Sequence, residues 1–378
     1  MGTDERPNAS LDILILGPMP PPYGGVSAHL GRLVPLLERA GLRVGVLNHF
    51  QSTDMHFVVG ALNRNPINYY RLPRRFRARV VHYHHSRWPQ LVAVALGRRG
   101  SSARYILTLH SGDNHNRFQL ASKIPFVSRI TRWAFRRFDK VIAVDTRIAS
   151  AIQNDLDKQR VEVLPAFVES PDEDTYRYEP SVEAFLDSDR VLVVTAFDVQ
   201  FLHDGGETYG LDTAVEAFIN LAGDLEGLQM AIFIARRPSR PKARRHLAKL
   251  ERRLEQEGLR ERVLILFGLP LVSALRRNAI FIRPTRAEGD AVSIREAQQA
   301  GVPVVASDVT RRPEGVVSFP TESVQELCAA LRSLLDGSIP HRKEVVRRDV
   351  QEPLTDPFFN RLVRIYRTEL MSQARARR

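Results

Sequence analysis

The chain has 378 residues, 43% hydrophobic and 26% charged, enough for two globular domains of ordinary size. Its one cysteine, Cys328, excludes an intramolecular disulfide and a cysteine metal cluster, and its place in an amphipathic stretch makes it an expected core residue. A net charge of +12 favours anionic partners, whether nucleotide phosphate, nucleic acid or an acidic membrane face, without choosing among them.

In chain order, the apolar run Leu11 to Gly17 (LDILILG) predicts a strand. A Pro/Gly loop follows, then a helix over VSAHLGRLVPLLERAG that closes at Gly41. Further strands are predicted at RVGVLNHF, RVVHYHH, ARYILTLHS, DKVIAVD and RVEVLPA, with amphipathic stretches between most of them. This alternation implies a doubly wound parallel sheet. From Glu169 to Asp189 the chain turns acidic, carries two prolines and loses strand periodicity, so a linker is expected there. The pattern then restarts with strands at RVLVVTAF, LQMAIFIA, RVLILFG, IFIRPT and VPVVAS, separated by helical stretches that include KARRHLAKLERRLEQEG and SVQELCAALRSLLDG. A second doubly wound domain is therefore predicted. Domain bounds of 1–180 and 181–355 follow, with a last amphipathic helix within 356–378 expected to pack back on the first domain. No apolar run approaches the roughly 20 residues that a membrane-spanning helix needs, and the polar start MGTDERPNASLD lacks a secretory apolar region, so a cytoplasmic location is expected.

Two loops draw attention. In GPMPPPYGGVSAH, Gly24 and Gly25 permit close backbone approach ahead of a helix N-terminus that can face an anion, although a tight turn shaped by Pro20 to Pro22 explains the loop equally well. In PTRAEGDAVSIREA, the N–H groups of Ala291, Val292 and Ser293 open a helix and can cradle a diphosphate. Glu296, one turn inside, is placed to accept two hydrogen bonds from a vicinal diol such as ribose, and Glu288 to meet a polyol or a developing charge. The bland alternatives are a solvated loop residue for Glu288 and a helix-dipole partner for Glu296. The acidic pairs within Asp155 to Asp157, Asp172 to Asp174 and Asp187 to Asp189 follow no strand into a cleft and are discounted as metal ligands. Period-two alternation puts His82 and His84 on one face, beside His85, but no third ligand is evident, so no metal is expected. The basic clusters lack any zinc-finger, RRM or KH pattern, which leaves no specific nucleic acid partner.

The E-x7-E spacing from Glu288 to Glu296, followed by EAQQAGVPVVASDV, resembles the signature of family 4 glycosyltransferases, retaining enzymes of the GT-B fold. The opening LGPMPPPYGGVSAHLGRLVPLLERAG is similar to bacterial members that build surface polysaccharides and other glycoconjugates. The resemblance implies an α/β protein of two Rossmann-like domains facing across a cleft, the first on the acceptor side and the second holding a UDP- or GDP-linked nucleotide diphospho-sugar. The implied acceptor is a hydroxyl on a saccharide, a lipid-linked carrier or a small molecule, and neither cofactor nor metal is implied.

Carried over by position, Gly24 and Gly25 approach the donor diphosphate or the acceptor, and His110 in LTLHSGD contacts the transferred sugar; read from the residues alone, His110, Asp113 and His115 make a polar loop after a strand that is expected to line the acceptor side. Glu288 lies near the donor sugar's hydroxyls, and Glu296 binds the ribose. His110 and Glu288 are thus the implied catalytic residues. One departure concerns charge: Phe197 and Tyr209 stand where the family commonly has an arginine and a lysine for the donor phosphates. Arg286, Arg236 and Arg237 are the expected substitutes. A second is GDAVS, where the family often has GFGLP. Two other classes stay open, a sugar-nucleotide-binding pseudo-enzyme and a basic RNA- or membrane-surface-binding protein. Peripheral contact with the inner membrane face is compatible with transfer, with Arg71 to Arg79 and Trp133 as the expected contact.

Overall fold

The computed structural model describes residues 10–50, 55–62, 65–84, 88–99, 101–110, 125–153, 156–166, 176–275, 279–337 and 357–375. Contacts divide the chain into two units, one from residues 1–20, 26–171 and 351–378, the other from 21–25 and 172–350.

In the first unit, seven strands form one parallel sheet: β1 (Leu11–Gly17), β2 (Val44–Asn48), β3 (Val58–Ala61), β4 (Ala78–Tyr83), β5 (Arg104–Leu109), β6 (Lys140–Ala143) and β7 (Val161–Val163). Their order is β3-β2-β1-β4-β5-β6-β7, so the winding reverses between β1 and β4, the switch point where open α/β sheets bind ligands. β3 was not anticipated: it has four residues, includes Gly60, and joins β2 with a register shift.

Side-chain alternation assigns the faces. Ile13 and Ile15 of β1, Val80 of β4 and Ile106 of β5 share a core with Leu30, Leu33 and Leu37 of the helix Gly25–Arg39. Phe359, Leu362, Val363, Tyr366 and Leu370, spaced three and four apart on the helix Pro357–Arg375, complete it. Each such side chain contributes roughly 1.5–3 kcal/mol of burial before entropy is counted. Charge fixes the same helix, since Arg104 Nε donates to Glu369 at 2.8 Å and Arg79 Nη2 to the Leu370 carbonyl at 3.1 Å.

In the second unit, β8 (Val191–Ala196), β9 (Gln229–Ile234), β10 (Val263–Phe267), β11 (Ala279–Arg283), β12 (Val304–Ser307) and β13 (Val317–Phe319) form a parallel sheet ordered β10-β9-β8-β11-β12-β13. Leu192, Val194 and Ala196 pack with Leu211, Phe218, Leu250 and Leu331 on one face, where Cys328 is a half-buried neighbour. Val191 and Val193 face the other way, onto Tyr178, Leu186, Leu275 and Ile294. The winding reverses between β8 and β11.

The expected linker is shortened by this packing. Pro180–Leu186 is a helix with proline in its first turn, Glu183 accepts the Tyr178 N–H at 2.8 Å, and Tyr178 and Leu186 are core residues. The acidic residues that looked like a linker thus include a helix start. Among the described residues no helix is long and apolar enough to cross a membrane.

Candidate functional site

The second switch point is built from the ends of β8 and β11. Arg283, the last residue of β11, bridges them by donating from Nη1 to the Thr195 carbonyl of β8 at 2.9 Å. From Nε it donates to Glu288 Oε1 at 2.7 Å, and its guanidinium lies over the Tyr209 ring, 5.2 Å from the centroid. Arg312, after β12, reaches Glu288 Oε2 at 2.7 Å, and Thr285 Oγ1 donates to the same oxygen at 3.1 Å. Ser307 Oγ donates to the Thr285 carbonyl at 2.6 Å and accepts from Arg312 Nη2 at 3.1 Å.

The Glu288 side chain is 6% exposed, so it is not the solvated loop residue of the bland reading. Burial alone would raise its pKa, but the Arg283 and Arg312 charges outweigh burial and hold the carboxyl below its usual range. In this conformation Glu288 anchors two buried cations. Neither cation was named from the sequence. Arg283 sits at the carboxyl end of a predicted strand, which was the available signal; Arg312 gave none.

Arg286 requires a correction. Its Nε donates to Glu322, Nη1 to the Glu207 carbonyl at 2.6 Å and Asp212 Oδ1 at 2.8 Å, and Nη2 to Asp212 Oδ2 at 3.1 Å and Thr213 Oγ1 at 3.3 Å. A guanidinium has five N–H donors, and here all five are engaged. With two carboxylates on it, Arg286 braces the loop against the helix Leu211–Ala222 and offers no donor to a diphosphate. Gly210 makes the approach feasible: it lies at φ +68°, and a Cβ there would fall 2.0 Å from the Pro284 carbonyl oxygen.

Glu207, not singled out from the sequence, is 1% exposed and accepts the N–H groups of Tyr209 at 2.9 Å and Leu211 at 2.8 Å. Burial pushes its pKa up to about 7 against the lowering effect of those hydrogen bonds.

The helix Val292–Gln299 begins after Ala291, which contributes no side-chain cap. Ala291 and Val292 are buried, Ser293 half-buried, and Glu296 buried one turn further on. Asp290, just before this helix, accepts from Arg295 Nε at 3.1 Å. Arg236 follows β9 beside the switch point, its backbone N–H donating to the Phe197 carbonyl at 3.0 Å, with a half-buried side chain. Arg237 is exposed and stacks on Phe267 at 4.2 Å. Gly25 opens the helix Gly25–Arg39, while residues 21–25 group with the second unit, where a Cβ on Gly24 would meet the Phe197 ring at 2.4 Å.

In the first unit His110 follows β5, and its Nε2 lies 2.9 Å from Nδ1 of His84, which follows β4. His84 Nε2 lies 3.1 Å from His82 Nδ1. His82 in turn bonds Tyr366 Oη at 2.6 Å and Thr108 Oγ1 at 2.7 Å. The His29 ring, from the helix Gly25–Arg39, lies 5.4 Å from His110 and 5.7 Å from His84. Burial depresses the basicity of His29 to about 4, of His82 to about 3, and of His84 well below the usual imidazole value. Ligand atoms of His29, His84 and His110 lie within 4.8 Å of one another, a grouping that leaves out His82 and that period-two alternation along β4 did not reveal.

His85, Asp113 and His115 lie outside the described residues, as do Asp155 and Asp172 to Asp174. Asp187 to Asp189 form the turn between the helix Pro180–Leu186 and β8, at the amino end of that strand. Within the expected membrane-contact segment, Arg79 is held by Asp12 at 3.3 Å and by the C-terminal helix, and Trp133 lies under Arg137 at 5.2 Å.

Two family models match successive parts of the chain. The family model described as Glycosyltransferase Family 4 matches residues 23–170, and Glycosyl transferases group 1 matches residues 202–337. No curated protein matches. A glycosyltransferase from Rickettsia africae ESF-5 superposes with TM-score 0.66 at 13% identity, over 96% of this chain and 99% of that one. Sucrose-phosphate synthase from Thermosynechococcus elongatus gives 0.67 at 14% identity, over 96% and 100%. Anabaena HepE in complex with UDP-glucose gives 0.63 at 12% identity, over 96% and 98%. At these identities the likeness is one of fold.

Proposed function

Since the chain belongs to the family 4 glycosyltransferases and has the GT-B fold, we propose that it moves a sugar from a nucleotide diphospho-sugar to a hydroxyl acceptor with retention of anomeric configuration. The observation that carries this reading is the second switch point, where an uncapped helix N-terminus and the buried Glu296 follow a loop anchored by Arg283, Glu288 and Arg312. The diphosphate lies over the amides of Ala291 to Ser293, with Arg236 beside it, and Glu296 accepts the ribose hydroxyls. Glu288 keeps the loop in place, so its part is positioning. Leaving-group charge is stabilised by helix dipole and amides, the departing phosphate oxygen takes the acceptor proton, and no enzymic nucleophile or metal at the diphosphate is needed. By the resemblance, His110 is the residue that contacts the transferred sugar.

The HepE complex with UDP-glucose supports a UDP-linked donor as the first to test. The acceptor belongs to glycoconjugate or polysaccharide synthesis, with the protein in the cytoplasm or at the inner membrane face. Glu296→Ala removes two charge-assisted hydrogen bonds of about 1.5–3 kcal/mol each, so UDP-sugar affinity by titration calorimetry should fall at least about tenfold. Unchanged affinity would reject the ribose assignment. A pseudo-enzyme reading draws support from Arg286, whose donors are all engaged. Donor binding with neither hydrolysis nor transfer to any acceptor in an extract would favour it.

A further inference from the structure

We propose that His29, His84 and His110 form a three-histidine binding site for a divalent transition-metal ion such as Zn2+, contained within the first unit. One ligand atom from each lies within 4.8 Å of the other two. The topology explains the convergence: His29 is on the helix after β1, His84 follows β4 and His110 follows β5, and these three strands are neighbours whose carboxyl ends meet at the first switch point.

The arrangement carries an unmet requirement. His29 Nδ1 is buried with no hydrogen-bond partner, a condition that costs about 1–3 kcal/mol. Its other nitrogen, Nε2, is left to make the hydrogen bond to the backbone of Ala166. An imidazole whose Nε2 is tied to a backbone carbonyl presents the Nδ1 lone pair, the usual state of a metal ligand.

One tautomer assignment gives His84 the same state. Tyr366 lies 2.6 Å from His82 Nδ1, and the phenol keeps its proton in this buried place. With the Tyr366 hydroxyl donating, His82 Nδ1 is the acceptor and the His82 proton sits on Nε2, towards Thr108 Oγ1 at 2.7 Å. His84 Nε2 must then carry a proton to face that same acceptor at 3.1 Å, and His84 Nδ1 is left as a lone pair directed at His110 Nε2. His82 is thus the outer partner that orients a ligand histidine.

Dimensions agree. Zn–N bonds of about 2.0–2.1 Å at tetrahedral angles place ligand nitrogens roughly 3.3 Å apart. The His84–His110 pair, at 2.9 Å, needs to open by a few tenths of an ångström, and the remaining separations, within 4.8 Å, need to close by a modest ring rotation. Three imidazoles without a carboxylate favour zinc, copper, nickel or iron over magnesium or calcium, and leave a fourth position for water or a substrate oxygen. A hydrogen-bonded chain through His82, His84 and His110 accounts for those three residues but leaves His29 Nδ1 unmet. A small cavity lined by His29, His82, His84 and Thr108, with Leu164 and Leu362 also in its lining, adjoins it.

The inference does not depend on the donor reading, because metal binding is measured without donor or acceptor. Full-length, untagged protein stripped with chelator is titrated with Co2+ and then Zn2+. The expected result is one Co2+ per chain with the intense visible bands of four-coordinate cobalt, displaced by one equivalent of Zn2+. His29→Ala should abolish this signal with the far-UV circular dichroism unchanged, and His82→Gln should weaken Zn2+ binding by about 10- to 100-fold. Because loss of a buried histidine can unfold the unit, a second readout uses His110→Ala at the half-buried position: Zn2+ should raise the unfolding midpoint of wild type and leave that of this variant in place. Absence of stoichiometric binding in wild type, a six-coordinate cobalt spectrum, binding that survives His29→Ala, or an equal Zn2+ effect on wild type and His110→Ala overturns the proposal.

Discussion

Replacing Glu207 with glutamine should flatten the pH dependence of stability in the second unit. Burial raises the Glu207 pKa from an ordinary 4.5 to about 7, although its carboxylate accepts two backbone N–H groups. The charged groups facing it are Asp212, which raises the pKa, and Arg286, which lowers it, with Arg283 also within electrostatic reach. A raised carboxyl pKa means that the folded state holds the proton more tightly than the unfolded chain. Its contribution is fully present below pH 4.5 and is lost as pH rises through about 7. That interval, at about 1.4 kcal/mol per pH unit, amounts to about 3 kcal/mol. Glutamine cannot ionise, and because its amide nitrogen replaces one acceptor oxygen, it adds a pH-independent cost of about 1 kcal/mol. The assay is urea unfolding at pH 5 and pH 8, followed by circular dichroism and tryptophan fluorescence together. Both tryptophans, Trp88 and Trp133, belong to the first unit, so fluorescence serves as an internal control. Wild type should lose about 2.5 kcal/mol more than Glu207→Gln between the two pH values in the dichroism transition alone. Parallel pH dependence in the two proteins would refute the reasoning and return Glu207 to an ordinary carboxylate.

Two further substitutions test the loop. Glu288→Leu strands two buried guanidinium groups and should destabilise the second unit by about 3–5 kcal/mol in the same dichroism transition, against about 0.5 kcal/mol for a solvated residue. Gly210→Ala is paired with Gly258→Ala: both glycines have positive φ, but a Cβ meets the Pro284 carbonyl at 2.0 Å in the first and nothing within 4 Å in the second. The Gly258 variant should lose about 1–2 kcal/mol from backbone conformation alone, and the Gly210 variant clearly more. Equal losses would mean that the loop yields to the added methyl without cost.

Much of the fold was legible because the strands are long enough to show their period. Leu11–Gly17, Val191–Ala196 and Gln229–Ile234 each carry six or seven residues, whereas β3 and β13, with four and three, show too little alternation to be distinguished from loop. Spacing along one segment was likewise readable, and it drew attention to Glu288 and Glu296. Partners supplied by sheet order were not. Arg312 reaches Glu288 because β11 and β12 are neighbours, and His29 reaches His84 because β1 and β4 are. Nothing in the local sequence encodes either adjacency, so a histidine distant in the chain was missed while His82, His84 and His85 were weighed by themselves.

The same limit bears on charge. A net charge of +12 made free arginines the natural expectation for an anionic ligand. Around the second switch point, however, Arg283, Arg286, Arg295 and Arg312 are met by Glu288, Asp212, Glu322 and Asp290, so these four cations face four carboxylates and cancel. Ionised Glu207 would tip the balance to negative. Arginine here serves as a brace, and the aromatic Tyr209, standing where a basic residue was expected, holds Arg283 under its carboxylate. In the proposed donor site, attraction for a diphosphate then rests on the partial positive charge at the N-terminus of Val292–Gln299, about half an elementary charge, and on Arg236. Backbone amides fixed at a helix end need no rearrangement to meet a developing anion, whereas a guanidinium shared between two carboxylates would first have to be released from them.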